Sequence, residues 1–349
     1  MSERFALAPI DDERTARVAL SYIVPLGHEI TGRMLHAHGA VQTLQFALGE
    51  QPNGFDKATL AYWRSYFSAY NPAHVERSVQ FAREQGLIPV TPEDAEWPAS
   101  FDALGSRAPF VLWVKGSRLE LLTRPVSERV SIVGARSASG RGMYDADQLA
   151  VGLSLQDIAI VSTASPGIAR AALAGPQRGP GGAITVLTHA LEDPDAITPN
   201  GFLASIGENG LLVSECPPGR AHGRDSLHSQ RRIVAALSAV TTVIESGPQS
   251  GAVQTALVAS ALHRQVAVVE GEPGTVGNLG PRLLLEQYGA TPVRNRDDVT
   301  TLLMVKPLAT LSELMPQSNR VSSQSPTPAT VQTSRPHYAA AREALTLSR

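Results

Sequence analysis

The chain has 349 residues and a formal charge of −2 at pH 7, with 30 basic and 32 acidic side chains. This length predicts about two domains with a sizeable core, and the balanced charge excludes a uniformly basic nucleic-acid coat. The single cysteine, Cys216, excludes a disulfide framework and a cysteine-rich zinc site and favours a reducing compartment. We find no signal peptide and no apolar segment long enough to span a membrane, so we expect a cytoplasmic protein.

Residues 1–85 show the apolar spacing of helices. The helical stretches are Thr15–Ile23, Ile30–Leu35, Val41–Leu48 and Leu60–Tyr66. We interpret this part as a small helical domain, similar to sterile-alpha-motif or helix-hairpin-helix folds, with a turn at Pro25–Ile30. Structural support is its expected role, and contact of the turn's amides with a DNA backbone is the alternative.

Residues 86–125 form an extension with two short apolar runs, Leu87–Val90 and Phe110–Val114. Runs of this length, bounded by turn residues, predict an added strand or a strap that packs on the following domain. Trp97 lies between the two runs, and we interpret it as a packing anchor.

Residues 126–303 alternate between short apolar runs and helical segments. The predicted strands are Ser131–Val133, Ile158–Val161, Ile184–Leu187, Leu211–Val213, Val240–Ile244 and Val266–Val269. The predicted helices are Met143–Leu155, Ile168–Leu173, Gly201–Gly207, Arg231–Leu237 and Ala252–His263. This alternation predicts an α/β fold with a Rossmann-like, doubly wound, mostly parallel sheet whose ligand lies at the carboxyl ends of the strands.

Residues 304–349 are rich in Ser, Pro, Thr and Gln, above all in Met315–Pro336. This composition predicts a disordered, low-complexity tail, with a short helix at His337–Leu347.

The loop after the first strand of the sheet carries the most informative pattern. Gly134 allows close approach of the backbone to a ligand, and Arg136 offers a rigid fork of donors for phosphate oxygens. Ser137 and the small residues after it precede a helix whose positive end points to the same place. A tight turn with a surface arginine is the alternative interpretation of this loop.

Other strand ends repeat this chemistry. After the second strand, Ser162 and Gly167 lie among small residues that open a helix. Arg231 and Arg232 lie side by side on a later helix. Ser250 and Gly251 open another helix and predict a cap that binds phosphate through backbone amides.

Carboxylates also follow several strands. The residues concerned are His189, Glu192, Glu215 and Glu245. A histidine together with a pair of carboxylates at this edge would be one arrangement for catalysis. We interpret each as a capping or loop-ordering residue, and we expect a protein that is not an enzyme and has no cofactor. No spaced His/Cys/Asp cluster indicates a metal.

The order of these motifs resembles the DNA processing protein A (DprA, or Smf) family. The motifs are Val133–Arg136, Ser162 with Gly167-Ile168, Val213–Gly219, Arg231–Ser238, Ser250-Gly251 with Thr255-Ala256, Arg264 with Gly271, and the entry segment of Trp97-Pro98 and Leu112–Gly116. The resemblance covers roughly Arg17 to Val299, and its strength lies in the ordered agreement of many weak motifs.

The resemblance implies an extended Rossmann-like domain, a homodimer, binding of single-stranded DNA without sequence preference, and loading of the RecA recombinase during natural transformation and related recombination. The DNA positions that it implies are Gly134, Arg136, Gly167, Ile168, Arg232, Ser250, Gly251 and Thr255.

The chain departs from the family pattern at three motifs. Gly-Ile-Asp becomes Gly167-Ile168-Ala169, Arg-Asn-Arg becomes Gln230-Arg231-Arg232, and Pro-Gly becomes Glu270-Gly271. We also expect no complete C-terminal winged helix. Three hypotheses stay open: a recombination mediator, which we favour, a nucleotide-binding sensor or enzyme on the same fold, and a degenerate scaffold that retains only protein contacts.

Overall fold

The buried apolar runs of the chain assemble into one mixed sheet. The structure, a computed structural model, describes residues 10–191, 201–220 and 223–304. The strands are β1 (Ile88–Val90), β2 (Leu112–Gly116), β3 (Arg129–Gly134), β4 (Ala159–Thr163), β5 (Ala183–Leu187), β6 (Leu211–Ser214), β7 (Val240–Ile244), β8 (Gln265–Val269) and β9 (Thr291–Val293). Their order is β1-β2-β6-β5-β4-β3-β7-β8-β9.

Strands β3 to β9 run parallel, and the chain winds in both directions from β3. It moves outward from β3 through β4 and β5 to β6, and then returns to β7 on the other side of β3. The predicted doubly wound, mostly parallel sheet is therefore confirmed. Its switch point lies between β3 and β7, where Gly134 is in register with Ile244, and ligands of such sheets bind beyond the carboxyl ends of the strands at this point.

Helices cover both faces of the sheet. They are α1 (Glu13–Ile23), α2 (Glu29–Ala47), α3 (Lys57–Ser65), α4 (Pro72–Glu84), α5 (Gly140–Ser154), α6 (Ile168–Ala174), α7 (Phe202–Asn209), α8 (Arg224–Ala236), α9 (Gly251–Ala261), α10 (Leu279–Tyr288) and α11 (Arg296–Met304). One core layer joins α5, α6 and α11 to the sheet, and a second joins α8, α9 and α10 to the opposite face. Because the central strands are buried on both faces, they appear in the sequence as continuous apolar runs.

The N-terminal helices α1 to α4 have a core of their own, in which Leu20, Met34 and Trp63 are fully buried. Helix α2 is kinked at Gly39, whose φ of 77° interrupts the helical backbone. The Glu13 carboxylate accepts hydrogen bonds from the freed amides of Ala40 (2.6 Å) and Val41 (3.2 Å). Glu13 therefore caps the second half of α2, and the two predicted helices on either side of Gly39 form one kinked element.

The extension adds two antiparallel strands to the sheet, because β1 pairs with β2 and β2 pairs with β6. Trp97 packs edge-on against Phe101, with ring centroids 5.2 Å apart. Each outer strand carries a central proline, Pro89 in β1 and Pro292 in β9. The carbonyl of Pro89 accepts a hydrogen bond of 2.9 Å from Arg14 in α1, so a helix covers this edge of the sheet.

The predicted disordered tail, the short helix at His337–Leu347 and Glu192 lie outside the described residues. In the ranges that the structure describes, no helix combines the length and apolar character needed to cross a bilayer.

Candidate nucleic-acid interface

The loops after β3 and β4 are packed against each other at the carboxyl edge of the sheet. The amide of Ile168 donates to the carbonyl of Ala135 at 3.1 Å. Gly167 has a φ of 76°, and a Cβ there would collide with the carbonyls of Ala135 and Arg136. A Cβ at Gly134 would collide with Ile168. The sequence-predicted Gly134, Gly167 and Ile168 therefore lie together, and the two glycines allow this close approach.

Arg136 extends from this double loop. Its side chain is exposed, and it makes no hydrogen bond or ion pair with any residue that the structure describes. The adjacent Ser137 is exposed as well. An unpaired guanidinium on a rigid loop is well placed to contact a phosphate oxygen, because no internal ion pair has to be broken first.

Arg231 lies beside the start of α9. A Cβ built on Gly251 would lie 3.6 Å from a terminal nitrogen of Arg231, and Ser250 caps α9 by accepting the amide of Val253 at 3.2 Å. Burial lowers the pKa of the Arg231 guanidinium, which makes no ion pair with the rest of the described chain. The structure thus brings Arg231, Ser250 and Gly251 together, with a cation beside the positive end of a helix.

Arg232 has a different environment from its neighbour. Its guanidinium donates to both Glu215 carboxylate oxygens at 2.6 Å, and their side chains are only 10% and 2% exposed. Its Nε donates to the carbonyl of Arg107 at 2.7 Å. A cation held in this way has little capacity left for a phosphate, so the geometry favours an internal role for Arg232, and its DNA contact stays a prediction.

Glu215 also forms a hydrogen bond with the turn between α1 and α2. One carboxylate oxygen accepts the amide of Gly27 at 3.0 Å, and the other accepts the hydroxyl of Ser229. The amide of Leu26 donates to Asp225 at 3.1 Å. These amides of the Pro25–Ile30 turn are committed to carboxylates of the sheet domain, which supports the structural role expected for this turn.

Three other predicted site residues point inward. The Ser162 hydroxyl donates to the carbonyl of Ile132 at 2.6 Å, and the Thr255 hydroxyl donates to the carbonyl of Gly251 at 2.9 Å. The side chain of Ile168 is fully buried. These side chains shape the loops, and contact with a ligand there would have to use backbone groups.

Two further arginines flank the same edge with partners of their own. Arg141 is 82% exposed and forms an ion pair with Asp145 one helical turn away, at 2.8 Å. The Arg170 guanidinium stacks over the Phe202 ring, with its carbon 4.5 Å from the centroid. An exposed ion pair such as Arg141–Asp145 contributes little to stability, so Arg141 can turn to another anion at small cost in free energy.

The crevice at the switch point itself is acidic. It has a volume of about 510 Å³, and its charged lining consists of Asp145, Glu245, Glu270, Glu272 and Arg141. The Glu245 carboxylate accepts the amide of Ser139 at 2.8 Å and also accepts the Ser139 hydroxyl. Ser139 is the N-cap of α5, so Glu245 is the capping residue that its position after a strand indicated.

Glu215 and Glu245, the two carboxylates considered for catalysis that the structure describes, do not form a pair. Glu215 follows β6 and Glu245 follows β7, and these strands are four steps apart in the sheet. At about 4.8 Å per step, the two strands lie roughly 19 Å apart. No group of three or more His, Cys, Asp and Glu side chains within residues 10–191, 201–220 and 223–304 is arranged to hold a metal ion.

Comparison with known proteins agrees with this architecture. A family model described as DNA recombination-mediator protein A matches residues 89–304, which is more than half of the chain. The DprA protein of Mycobacterium tuberculosis is 35% identical over 221 residues, which are 60% of this chain and 56% of that protein. The Smf protein of a Synechocystis species is 29% identical over 203 residues, 57% of this chain and 48% of that protein. The chain therefore spans about half the length of the curated relatives it matches.

Two solved structures share the fold. DNA processing protein A of Streptococcus pneumoniae superposes with a TM-score of 0.66 at 24% identity, over 84% of this chain and 98% of that one. DNA processing protein A of Helicobacter pylori, whose structure concerns its single-stranded DNA binding mode, gives a TM-score of 0.54 at 23% identity, over 62% of this chain and 95% of that one. At these identities the likeness concerns the fold.

Proposed function

The chain belongs to the DNA recombination-mediator protein A family, and from that premise we propose that it binds single-stranded DNA as a recombination mediator. The observation that carries the proposal is a pair of available arginines at the carboxyl edge of the sheet. Arg136 is exposed without a hydrogen-bond or ion-pair partner among the described residues, and Arg231 lies beside the start of α9. The binding described for the Helicobacter pylori relative supports the same ligand.

The DNA contacts in this proposal are mainly to phosphates. The carboxyl edge offers guanidinium groups and loop amides near Gly167 and Gly251. In the described part of the sheet domain, the exposed large aromatic side chains are Tyr144 on α5 and Tyr288 on α10. Contacts to phosphate carry no sequence information and release counterions from the strand. We therefore propose binding without sequence preference and with a strong dependence on salt.

The biological context follows from the family resemblance. We propose that the protein acts as a homodimer in the cytoplasm, protects incoming single strands and loads RecA onto them during DNA uptake. We propose no catalytic activity and no cofactor. The division into a helical domain (1–85), an extension (86–125), a Rossmann-like domain (126–303) and a tail (304–349) stays part of this proposal.

The test is binding of a fluorescent poly-dT oligonucleotide at two salt concentrations, with duplex of equal length and free mononucleotides as competitors. We expect tight binding that weakens at higher salt and resists both competitors. Absence of binding, or displacement by a mononucleotide, would show that the fold serves another task.

A further inference from the structure

The switch-point crevice contains an anion that belongs to the chain itself. In doubly wound sheets, the first helix after the central strand presents its positive end to the phosphate of a nucleotide. In this protein that helix is α5, and the Glu245 carboxylate occupies its N-terminus through the amide and the hydroxyl of Ser139. The position that would hold a phosphate is therefore filled.

The surrounding backbone is built to admit this side chain. A Cβ at Gly142 would lie 2.5 Å from the carboxyl carbon of Glu245, and one at Gly277 would lie 3.3 Å from its Cγ. Glu245 itself has a φ of 44°, a left-handed conformation that a residue other than glycine adopts at a cost in free energy. The carbonyl of Glu245 also accepts the amide of Ala135 at 2.6 Å, which fixes the loop in this conformation.

The rest of the crevice opposes an incoming phosphate. Asp145, Glu270 and Glu272 line the same space as Glu245, and Arg141, its one cation in the described chain, is already paired with Asp145. A nucleotide phosphate would have to displace the Glu245 carboxylate and approach the three other carboxylates that line the crevice. Its negative charge would be repelled by theirs.

We propose that Glu245 is a specificity-determining residue that excludes nucleotide phosphates from the switch-point crevice and leaves the exposed loops around Arg136 as the site for a DNA strand. This inference rests on the proposed function in one respect, since single-stranded DNA is the ligand with which a bound nucleotide would compete. The structural claim, that the carboxylate blocks an anion position, stands on the contacts of Glu245 alone.

The test measures thermal stability of the full chain with increasing inorganic phosphate or pyrophosphate at constant ionic strength. Glu245→Ala empties the N-terminus of α5, and we expect its Tm to rise with either anion, with an apparent affinity at least about tenfold above that of the native chain. Glu272→Ala is the matched control, because it removes a carboxylate from the same crevice without uncovering the helix, and it should respond as the native chain does.

Glu245→Gln keeps the length of the side chain, removes its charge and decides the question if the alanine variant does not fold. We expect this variant to gain anion binding as well, though less than the alanine variant. The proposal is overturned if neither variant gains binding, or if Glu272→Ala gains as much. The poly-dT measurement on the native chain is independent, so loss of the DNA proposal and loss of this one are separate outcomes.

Discussion

Arg231 and Arg232 are neighbours on one helix, but their guanidinium groups have different partners. Arg232 points into the protein and is neutralised by Glu215, whereas Arg231 lies half-buried beside α9 without a counter-charge in the described chain. The sequence made both Arg231 and Arg232 candidates for phosphate binding. The difference depends on Glu215, which is 17 residues away from Arg232, and no local pattern indicates which of two neighbouring arginines such a carboxylate binds.

Arg136→Ala should weaken oligonucleotide binding equally across sequences. The side chain is exposed and makes no hydrogen bond or ion pair with the described residues, so its removal should leave stability unchanged and take away one phosphate contact. The slope of log affinity against log salt should become shallower by about one unit or less. Arg77→Ala, which removes an exposed arginine from α4, serves as the control, and equal affinities and slopes for the two variants would remove Arg136 from the site.

Arg231→Ala should also reduce affinity and salt dependence, because a partly desolvated cation interacts with phosphate more strongly than one in water. Thermal unfolding of the same variant checks that the packing of α8 against α9 survives. A variant with native affinity at both salt concentrations would confine the DNA site to the loops after β3 and β4.

At the scale of elements, sequence patterns predicted the buried strands and missed several elements that are largely exposed. The strands β3 to β8 were predicted because they are runs of apolar residues. Strand β9 has three residues with a proline at its centre. Helix α8 begins at Arg224, about two turns before its predicted start at Arg231, because its first turns are polar. The loops could be placed at one edge from topology alone, but the capping of α5 by Glu245 depends on a contact between loops 106 residues apart.

The cap of α2 makes one element sensitive to pH. Trp63 donates to the Thr31 hydroxyl at 2.8 Å, and this hydroxyl contacts Nδ1 of His28 at 2.8 Å. Because the indole can only donate, the hydroxyl is free to donate to an unprotonated Nδ1. Burial lowers the pKa of His28 from 6.5 to about 4, so the folded chain keeps the imidazole neutral.

Stability should therefore fall as the pH is lowered from 6.5 toward 4, because the unfolded chain gains a proton there that the folded chain does not. The contribution of this group approaches about 1.4 kcal/mol per pH unit within that window. His28→Asn keeps a capping acceptor and removes the titration, so denaturant unfolding of this variant should depend less on pH. Identical pH profiles for the two proteins would show that His28 does not control the dependence.

At the scale of the whole molecule, the N-terminal helices and the sheet are joined by buried polar groups. Glu215 connects Arg232 in α8 with the amide of Gly27, and Arg220 donates to the carbonyls of Ser21 and Val24 at 3.0 Å. The helical part and the sheet could each be predicted from periodicity. The attachment of one to the other could not be predicted, since it relies on hydrogen bonds between side chains and backbone groups nearly two hundred residues apart.

Glu215→Gln should lower the free energy of unfolding by about 3–5 kcal/mol, because it leaves the Arg232 charge buried without a counter-charge. Denaturant unfolding measures the loss. A double-mutant cycle with Arg232→Met gives the interaction free energy between Glu215 and Arg232, apart from the contribution of their other contacts. The double variant should be more stable than Glu215→Gln alone. A loss below about 1 kcal/mol would mean that the pair behaves as an exposed surface ion pair.

The proline at the centre of β1 also bears on how the protein behaves at high concentration. Pro89 has no amide hydrogen, and its carbonyl is already bonded to Arg14, so the outward side of this strand has little left to offer a strand from another chain. Self-association through a continuous intermolecular sheet, the usual route to domain swapping and fibrillar aggregates, is blocked at this edge. Copies of the folded chain that meet at this edge must therefore pack through side chains and not through backbone hydrogen bonds.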